Sequence, residues 1–488
     1  VAEAGRQVYR FSGSTVEPGH WALDAMRRAN ALGLLDDHLL AQRAVPLEVV
    51  ESALREAAMR ASERAPAVAE LAASWHARLM EEHVGLDTAA EARATPPVLP
   101  GSGIPLWMGA FAGLGVESRQ GAAGPGLGEF QPNREGAQPL DDRTRLVGEI
   151  DASVILGEHF GFRASPRATT SGIRLDAVEL NAAWGGWRAS MGRMPIGYAH
   201  GVGGGVILTD QATLDAVGIE TRAPFRLPWV LGYLGPVSFT THFARMWEER
   251  HPDDPFFWSA SGQVQPHPRV TIGVHRGALF GGDHPVNLRN IGNMLLGRVV
   301  GIGFEDQIVS VSGRYRLPTA QILPLTAYFE WGAEDAAGAW WAVPARVIGL
   351  ESPSLPWLPQ VRTGFEYSHF ERSCCGNPEW YRHWSFNGAW ATGDLTLGHP
   401  LGGHGREAMA HASAHLLDTR LRIAGRGMIR TRSDQNLFVP GREGRSVGWA
   451  LDADWRTAEN LELSLRTRRE AGQDWAETNL RLEGRVFF

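Results

Sequence analysis

Apolar and charged side chains take turns with period two in the last part of the chain, and no other feature limits its fold so sharply. Val447, Trp449, Leu451, Ala453 and Trp455 fall on one face of a strand, with Asp452 and Asp454 on the other. Leu461, Leu463 and Leu465 oppose Glu462 and Arg466. Leu480, Leu482, Gly484, Val486 and Phe488 oppose Arg481, Glu483 and Arg485. Upstream, Leu421, Ile423 and Ile429 are set against Arg422, Arg426 and Arg430. Successive side chains of a strand point to opposite faces, so this spacing predicts strands with one apolar and one charged face. A soluble sandwich would turn the charges to bulk water and the apolar face to a second sheet. An outer-membrane barrel puts the apolar face in lipid and the charges in a wet lumen.

Connection lengths separate the two. A bacterial barrel alternates short periplasmic turns with long extracellular loops, and its last strand runs down to the periplasm. Counting back from Phe488, turns are expected near Ala471–Asp474, Thr457–Asn460 and Leu417–Thr419, with a long loop at Ser433–Arg445. The alternation continues if Val361–Phe370 pairs directly with Ala408–Leu416, leaving Trp384, Phe386 and Trp390 in a hairpin inside a very long loop. Further turns are expected at Glu351–Pro359, Leu317–Ala320, Gly262–Pro268 and Gly232–Gly235, and long loops at Gly277–Glu305 and Gly197–Thr221. The count reaches about 18 strands, an even number as single-chain barrels require. A final strand ending in Phe488 is the type of signal that barrel assembly uses.

Composition alone reads as soluble: of 488 residues 43% are hydrophobic and 21% charged. A membrane helix needs about 18 or more consecutive apolar residues. The longest candidate, Leu227 to Phe239, is broken by Pro and Gly, which excludes a helical membrane bundle. A barrel strand hides only every second residue in lipid, so the same average is compatible with a barrel. Net charge is −7, and all 47 basic residues are Arg, scattered among acids without basic runs, so nucleic-acid binding is not indicated. The 58 Gly and 18 Trp suit tight turns and interfacial belts. The two cysteines, Cys374 and Cys375, are adjacent and build neither a disulfide framework nor a CxxC metal site; a vicinal disulfide or free thiols both remain open. A start at Val1 is what a secreted chain shows after signal cleavage, and equally what an expression product shows.

The first hundred residues differ. Leu23, Met26, Ala29 and Leu32 recur at helical spacing between Trp21 and Leu35; Pro46 opens a second run through Leu47, Val50 and Leu54; Val68, Leu71, Trp75 and Leu79 mark a third. Four Pro and two Gly between Ala94 and Pro105 mark the boundary. The expected organisation is a helical bundle over residues 1–96, placed in the periplasm, and a transmembrane β-barrel over 97–488. Three short helices bury little alone and are expected to pack on something larger.

With these elements in order, the chain resembles the Wzi-like capsule assembly proteins. Trp21 to Leu35 with Gly33 looks like that family's first helix and Ala44-Val-Pro-Leu-Glu-Val-Val-Glu-Ser-Ala-Leu54 like its second. Trp187-Arg-Ala-Ser-Met-Gly-Arg-Met-Pro195, running into Gly201-Val-Gly-Gly-Gly-Val-Ile-Leu-Thr-Asp210, is similar to its tryptophan, glycine and proline strand followed by a glycine-rich loop closing on an aspartate. Gly235-Pro236, Glu334-Asp335 and Gly398-His-Pro-Leu-Gly-Gly-His-Gly405 fall where the family has similar motifs. The adjacent cysteines depart from the pattern, as does Ile196-Gly197 where an aromatic pair is the rule. The resemblance implies a periplasmic helical bundle, an 18-stranded barrel in the outer membrane of a Gram-negative bacterium, and a lectin that holds capsular polysaccharide at the cell surface.

The long loop from Glu371 to Glu407 supplies the candidate polysaccharide-binding residues: Trp380, Tyr381, Arg382, His383, Trp384, Trp390 and His399. Sugar rings pack their C–H faces on aromatic planes, and their hydroxyls need polar donors such as Arg and His. The same aromatics would serve equally to fold the loop on itself or plug the lumen. Trp340, Trp341 and Trp357 fit an interfacial belt. The inward charges Arg422, Arg426, Arg430, Asp452 and Asp454 either pair across strands to close a filled barrel or guide an acidic polysaccharide, since Arg binds carboxylates bidentately.

Signals for catalysis are poor: there is no GxSxG, HExxH, P-loop or CxxC. Gly201-Val-Gly-Gly-Gly precedes a strand-like run and not a helix, which speaks against a dinucleotide cradle. His411 and His415, four apart on a strand, share a face but are too distant for one metal. A phospholipase pair at the lipid rim has only Thr240 and His242 as candidates. No cofactor or metal is called for. The expected function is a non-enzymatic lectin with surface polysaccharide, outer-membrane lipid and capsule-export proteins as partners. Two alternatives stand beside it: a diffusion channel for anionic solutes, and a structural subunit of a surface assembly.

Overall fold

In the computed structural model, the described residues are 11–83, 101–121 and 144–488, apart from 37, 40, 105, 171, 210–212, 248–251, 282–284, 299, 302, 321, 335–341, 374–378, 387–389 and 393–394. Eighteen antiparallel strands close into a barrel. They are β1 (Leu106–Gln120), β2 (Arg145–Leu156), β3 (Phe160–Thr169), β4 (Gly172–Trp184), β5 (Trp187–Pro195), β6 (Thr213–Thr221), β7 (Pro236–Arg245), β8 (Phe256–His267) and β9 (Val270–Phe280). The second half is β10 (Glu305–Arg316), β11 (Thr326–Glu334), β12 (Ala345–Ser352), β13 (Val361–Phe370), β14 (Gly405–Leu416), β15 (Leu421–Arg432), β16 (Gly444–Ala458), β17 (Leu461–Ala471) and β18 (Ala476–Phe487). Each pairs with its neighbours in sequence, and β1 pairs with β18 from Phe111 opposite Phe487 to Gln120 opposite Thr478. Closure satisfies every strand edge, which a sheet in lipid requires.

The period-two pattern becomes the two faces of the wall. On β16, Val447, Trp449, Leu451 and Trp455 are exposed on the outside, while Ser446, Ala450, Asp452 and Asp454 are buried inside. The same holds around the ring: Ile173, Met191, Ile219, Val274, Phe329, Phe365 and Leu482 are exposed apolar residues, while Glu179, Arg188, Ser310, Glu330, Arg362 and Glu366 are buried. Thr240 and His242 are both buried on the lumen side, so no lipid-facing catalytic pair exists at that strand.

The two barrel ends differ in connection length. One end carries tight turns at 268–269, 417–420 and 459–460; the other carries the long connections 196–212, 281–304, 371–404 and 433–443. Strands β13 and β14 pair directly across the longest of these. Two details depart from expectation. Strand β8 continues through Gly262 to His267, so the turn is shorter and later than Gly262–Pro268. The hairpin inside the longest loop is Ala391–Thr392 against Leu395–Thr396, because Trp380, Tyr381 and Trp390 turn inward instead of pairing.

Helices α1 (Trp21–Ala31), α2 (Leu47–Arg64) and α3 (Ala69–His83) match the predicted runs, with Pro46 at the N-cap of α2. They share one core, including Trp21, Met26, Leu54, Ala57, Trp75 and Leu79, that continues onto Ile155 and Trp107 of the wall. The bundle sits in the short-turn mouth. A fourth helix, α4 (Leu288–Leu295), lies where the sequence pattern predicts only strands and loops; eight residues with a glycine among them are too few for periodicity to show.

Candidate functional site

The lumen is filled from both ends, and each filling is built differently. At the short-turn end charged groups on the helices meet charged groups on the wall. Asp24 of α1 receives Arg362 of β13 and lies 3.0 Å from Ser413 Oγ and 3.2 Å from His415 Nε2. Arg78 of α3 reaches Glu462 of β17 at 2.7 Å and also Glu82 at 2.6 Å. Glu48 of α2 lies 3.4 Å from Arg222 and 3.9 Å from Arg188. Burial works to raise the Asp24 carboxyl, yet Arg362 and the other cations around it hold it well below the usual carboxylate range.

At the long-loop end the connections 196–212 and 371–404 turn into the barrel. Tyr198 is buried, stacked on His275 with ring centres 5.8 Å apart, and its hydroxyl lies 3.1 Å from His242 Nδ1. Glycines make this descent possible: a Cβ on Gly203 would stand 2.5 Å from Glu366 Oε1, and one on Gly205 would stand 2.2 Å from the Tyr198 carbonyl. Val202 and Gly203 amides donate to Glu366 at 2.7 and 3.0 Å, and the Val206 amide donates to Glu330 at 3.2 Å. The two fillings meet mid-barrel, where Ala199 N donates to Ala41 O at 2.6 Å and Arg43 N to Gly197 O at 2.9 Å.

The seven candidate loop residues divide. Trp380, Tyr381, Trp390 and His399 are each at most 1% exposed. Their faces are spent inside the plug: Trp380 meets Phe370 edge-on at 5.1 Å and Trp390 meets Phe257 edge-on at 5.2 Å. Trp390 Nε1 donates to Asp306 at 2.7 Å, the Tyr381 amide to Glu334 at 2.6 Å, and the Tyr381 hydroxyl to Val206 O at 2.6 Å. These four therefore offer no plane to a sugar, because a large apolar ring gains more by burial in the lumen than by waiting at the surface. Arg382, His383 and Trp384 stay at the surface. Trp384 is 74% exposed, His383 packs beside it with ring centres 5.5 Å apart, and Arg382 is tied to Glu379 at 3.5 Å and to Leu437 O at 3.2 Å. Cys374, Cys375, Trp340 and Trp341 lie outside the described residues. Trp357 is exposed at the short-turn end.

The predicted lumen charges are on the inner face, mostly in cross-strand pairs. Arg422 meets Asp454 at 3.1 Å, Asp454 also receives Arg466, Asp452 lies 3.9 Å from Arg466, and Arg430 bridges Glu407 and, at 2.7 Å, Glu470. Between the fillings and the wall from β13 round to β1 three solvent-open clefts of about 890, 690 and 610 Å³ adjoin through shared lining residues. Arg426 lines the 690 and 610 Å³ clefts, and Arg468 the 890 and 610 Å³ clefts. Arg468 is a lumen residue absent from the expected set, although its place two residues on from the inward Arg466 signals the same facing.

Among the described residues one trio brings possible metal ligands together: Glu366, His399 and Glu407 have ligand atoms within 4.8 Å of one another. Each is already committed. Glu366 accepts from two amides and from Tyr328 Oη at 2.7 Å, and Glu407 receives Arg430. His399 Nδ1 accepts from the Leu401 amide at 3.1 Å, which leaves Nε2 facing Ser368 Oγ at 3.1 Å as the protonated nitrogen. Burial pushes His399 down to about 4, so the ring is neutral. The trio serves as a hydrogen-bonded clasp that fixes both inward loops to the wall.

Over most of the barrel, residues 130–477, the chain matches the family model described as capsule assembly protein Wzi. The chain belongs to this family. Membership carries a capsule-related role in the outer membrane. The barrel is similar in fold to Wzi of Escherichia coli, an outer-membrane protein involved in group 1 capsule assembly and described as a carbohydrate-binding β-barrel. The TM-score is 0.70 at 14% identity, covering 96% of this chain and 99% of that one. OprD of Pseudomonas aeruginosa aligns with TM-score 0.48 at 10% identity, covering 78% of this chain and 94% of that one. No curated protein matches the chain.

Proposed function

We propose that this protein is a non-enzymatic, lectin-like barrel that holds capsular polysaccharide at the cell surface. Its long-loop end faces outward and its helices face the periplasm. The observation that carries the reading is the pairing of a lumen filled from both ends with an exposed Trp384 next to half-buried His383 and Arg382 on the longest loop. A filled barrel holds its ligand and does not pass it. An exposed indole with an imidazole packed beside it offers an apolar plane and a polar group, the two things a sugar ring requires. The barrel's relationship to a carbohydrate-binding β-barrel supports the same ligand class. Trp384→Ala should weaken capsular polysaccharide retention roughly 5–10-fold, the equivalent of about 1–1.5 kcal/mol, while the barrel stays folded. Unchanged retention by folded Trp384→Ala and Arg382→Ala proteins would place the glycan elsewhere.

A further inference from the structure

Strand β9 carries an anomaly on its outer face. Ile272 and Val274 point outward and are exposed, as lipid-facing residues are, yet Ala278 and Phe280 on the same face are at most 1% exposed. What covers them is α4 and its flanks. Met294, Phe304, Ile291 and Val300 pack on Ala278, Phe280 and the outward Trp258, Phe256 and Phe243. The segment thus folds back over the outside of the barrel, below the long-loop rim. The wall holds it by its C-terminal carbonyls: outward-pointing Arg276 donates to Met294 O at 2.6 Å and to Leu295 O at 2.9 Å. At the other end Asn287 caps the helix by accepting from the Asn290 amide at 2.9 Å.

The side of α4 turned away from the wall is apolar as well. Leu288 is 89% exposed and Leu296 69%, with Val286 and Leu295 also exposed. A helix apolar on both sides needs an apolar partner on both. One partner is the barrel; the other is continuous with the lipid-facing belt of Ile272 and Val274. Exposed Arg289 and Arg298 flank the helix, and residues 285–304 contain no Asp or Glu, so the segment is cationic. Exposed Trp247, with Arg245 over its ring at 4.1 Å, stands at the end of neighbouring β7, where an interfacial aromatic belongs.

We propose that α4 and its flanks are a docking site for a net-anionic, phosphate-bearing lipid of the outer leaflet. Leu288, Leu295 and Leu296 lie among the acyl chains, and Arg289 and Arg298 bind the phosphates. The assignment to the outer leaflet rests on the orientation given above; the lipid site itself does not. Native mass spectrometry of the full chain, exchanged between phosphatidylcholine bilayers with and without purified lipid A, tests it. The wild type should retain lipid A over phosphatidylcholine. Arg289→Ser with Arg298→Ser should lower that retention roughly tenfold, two charge-assisted phosphate contacts being removed. Leu288→Ser with Leu296→Ser should lower retention of either lipid. Polysaccharide retention should be unaffected in both variants, so loss of glycan binding alone leaves the lipid site standing. Equal lipid A retention by wild type and the Arg variant would overturn the proposal. So would a wild-type dimer that the Leu variant dissociates without loss of lipid, since the face would then belong to a second copy.

Discussion

At the short-turn mouth the helices reach the wall mainly with charged side chains; at the long-loop mouth the connections 196–212 and 371–404 reach it mainly with aromatic rings and backbone amides. Asp24 meets Arg362, Arg78 meets Glu462, and Glu48 meets Arg222. Across the lumen, Glu366, Glu330, Glu334 and Asp306 accept instead from neutral donors: amides of Val202, Gly203, Val206 and Tyr381, and the Trp390 indole. Buried ion pairs demand strict geometry and fail badly when one partner goes. Neutral hydrogen bonds around an apolar cluster depend instead on shape. The helix plug is thus held by charge pairs, and the loop plug by packing and neutral donors.

The largest expected effect comes from the aromatic side. Trp390→Ala should cost about 3–5 kcal/mol in seating of the loop plug, through the cavity it leaves and the loss of the indole hydrogen bond to Asp306. Protease cleavage inside residues 371–404 should rise while α1–α3 stay protected. Arg362→Ala should do the converse at a cost of about 3–4 kcal/mol, because buried Asp24 loses its ion-pair partner and Glu351 keeps only Arg314 at 3.3 Å. Cleavage should then move to the helices. If both variants expose both segments equally, the two fillings are one cooperative unit and the contrast fails.

Acidification is the next lever. His399 sits at about 4 against an ordinary 6.5, with Glu366, Glu407, Arg430 and Arg43 around it, and burial lowers His404 too. The displaced loop therefore binds a proton at His399 that the seated loop does not, so this one residue's contribution to seating is lost as pH falls from about 6.5 toward 4 and changes no further below that. Asp24, held well below the usual carboxylate range, stays ionised through the same window. At the small end, Arg372→Ala should change stability by no more than about 0.5 kcal/mol, since its pair with Asp434 at 2.8 Å is solvent-exposed.

Much of this architecture is legible in the amino-acid order. Period two on β15 to β18 assigns the facing of each residue, and connection parity carries the count to eighteen with Val361–Phe370 paired across the longest loop. The fate of the loop aromatics is not legible there. Alternation assigns a face only while the backbone is extended and hydrogen-bonded to a neighbour; past Phe370 nothing local tells Tyr381 and Trp390, which dive into the lumen, from Trp384, which stays outside. The difference is decided by distant partners such as Phe257, Asp306 and Glu334. Helix α4 is hidden for a related reason, its two apolar sides answering to two different surroundings.

The central claim is that the lumen is closed and the ligand is held at the loop surface. Single-channel recording of the purified wild-type protein in planar bilayers at neutral pH tests it most directly. The account predicts no large, stable conductance at neutral pH, and step openings that emerge in Trp390→Ala. A large, stable, anion-selective current from the wild type at neutral pH would contradict it and favour a channel along the clefts lined by Arg426 and Arg468.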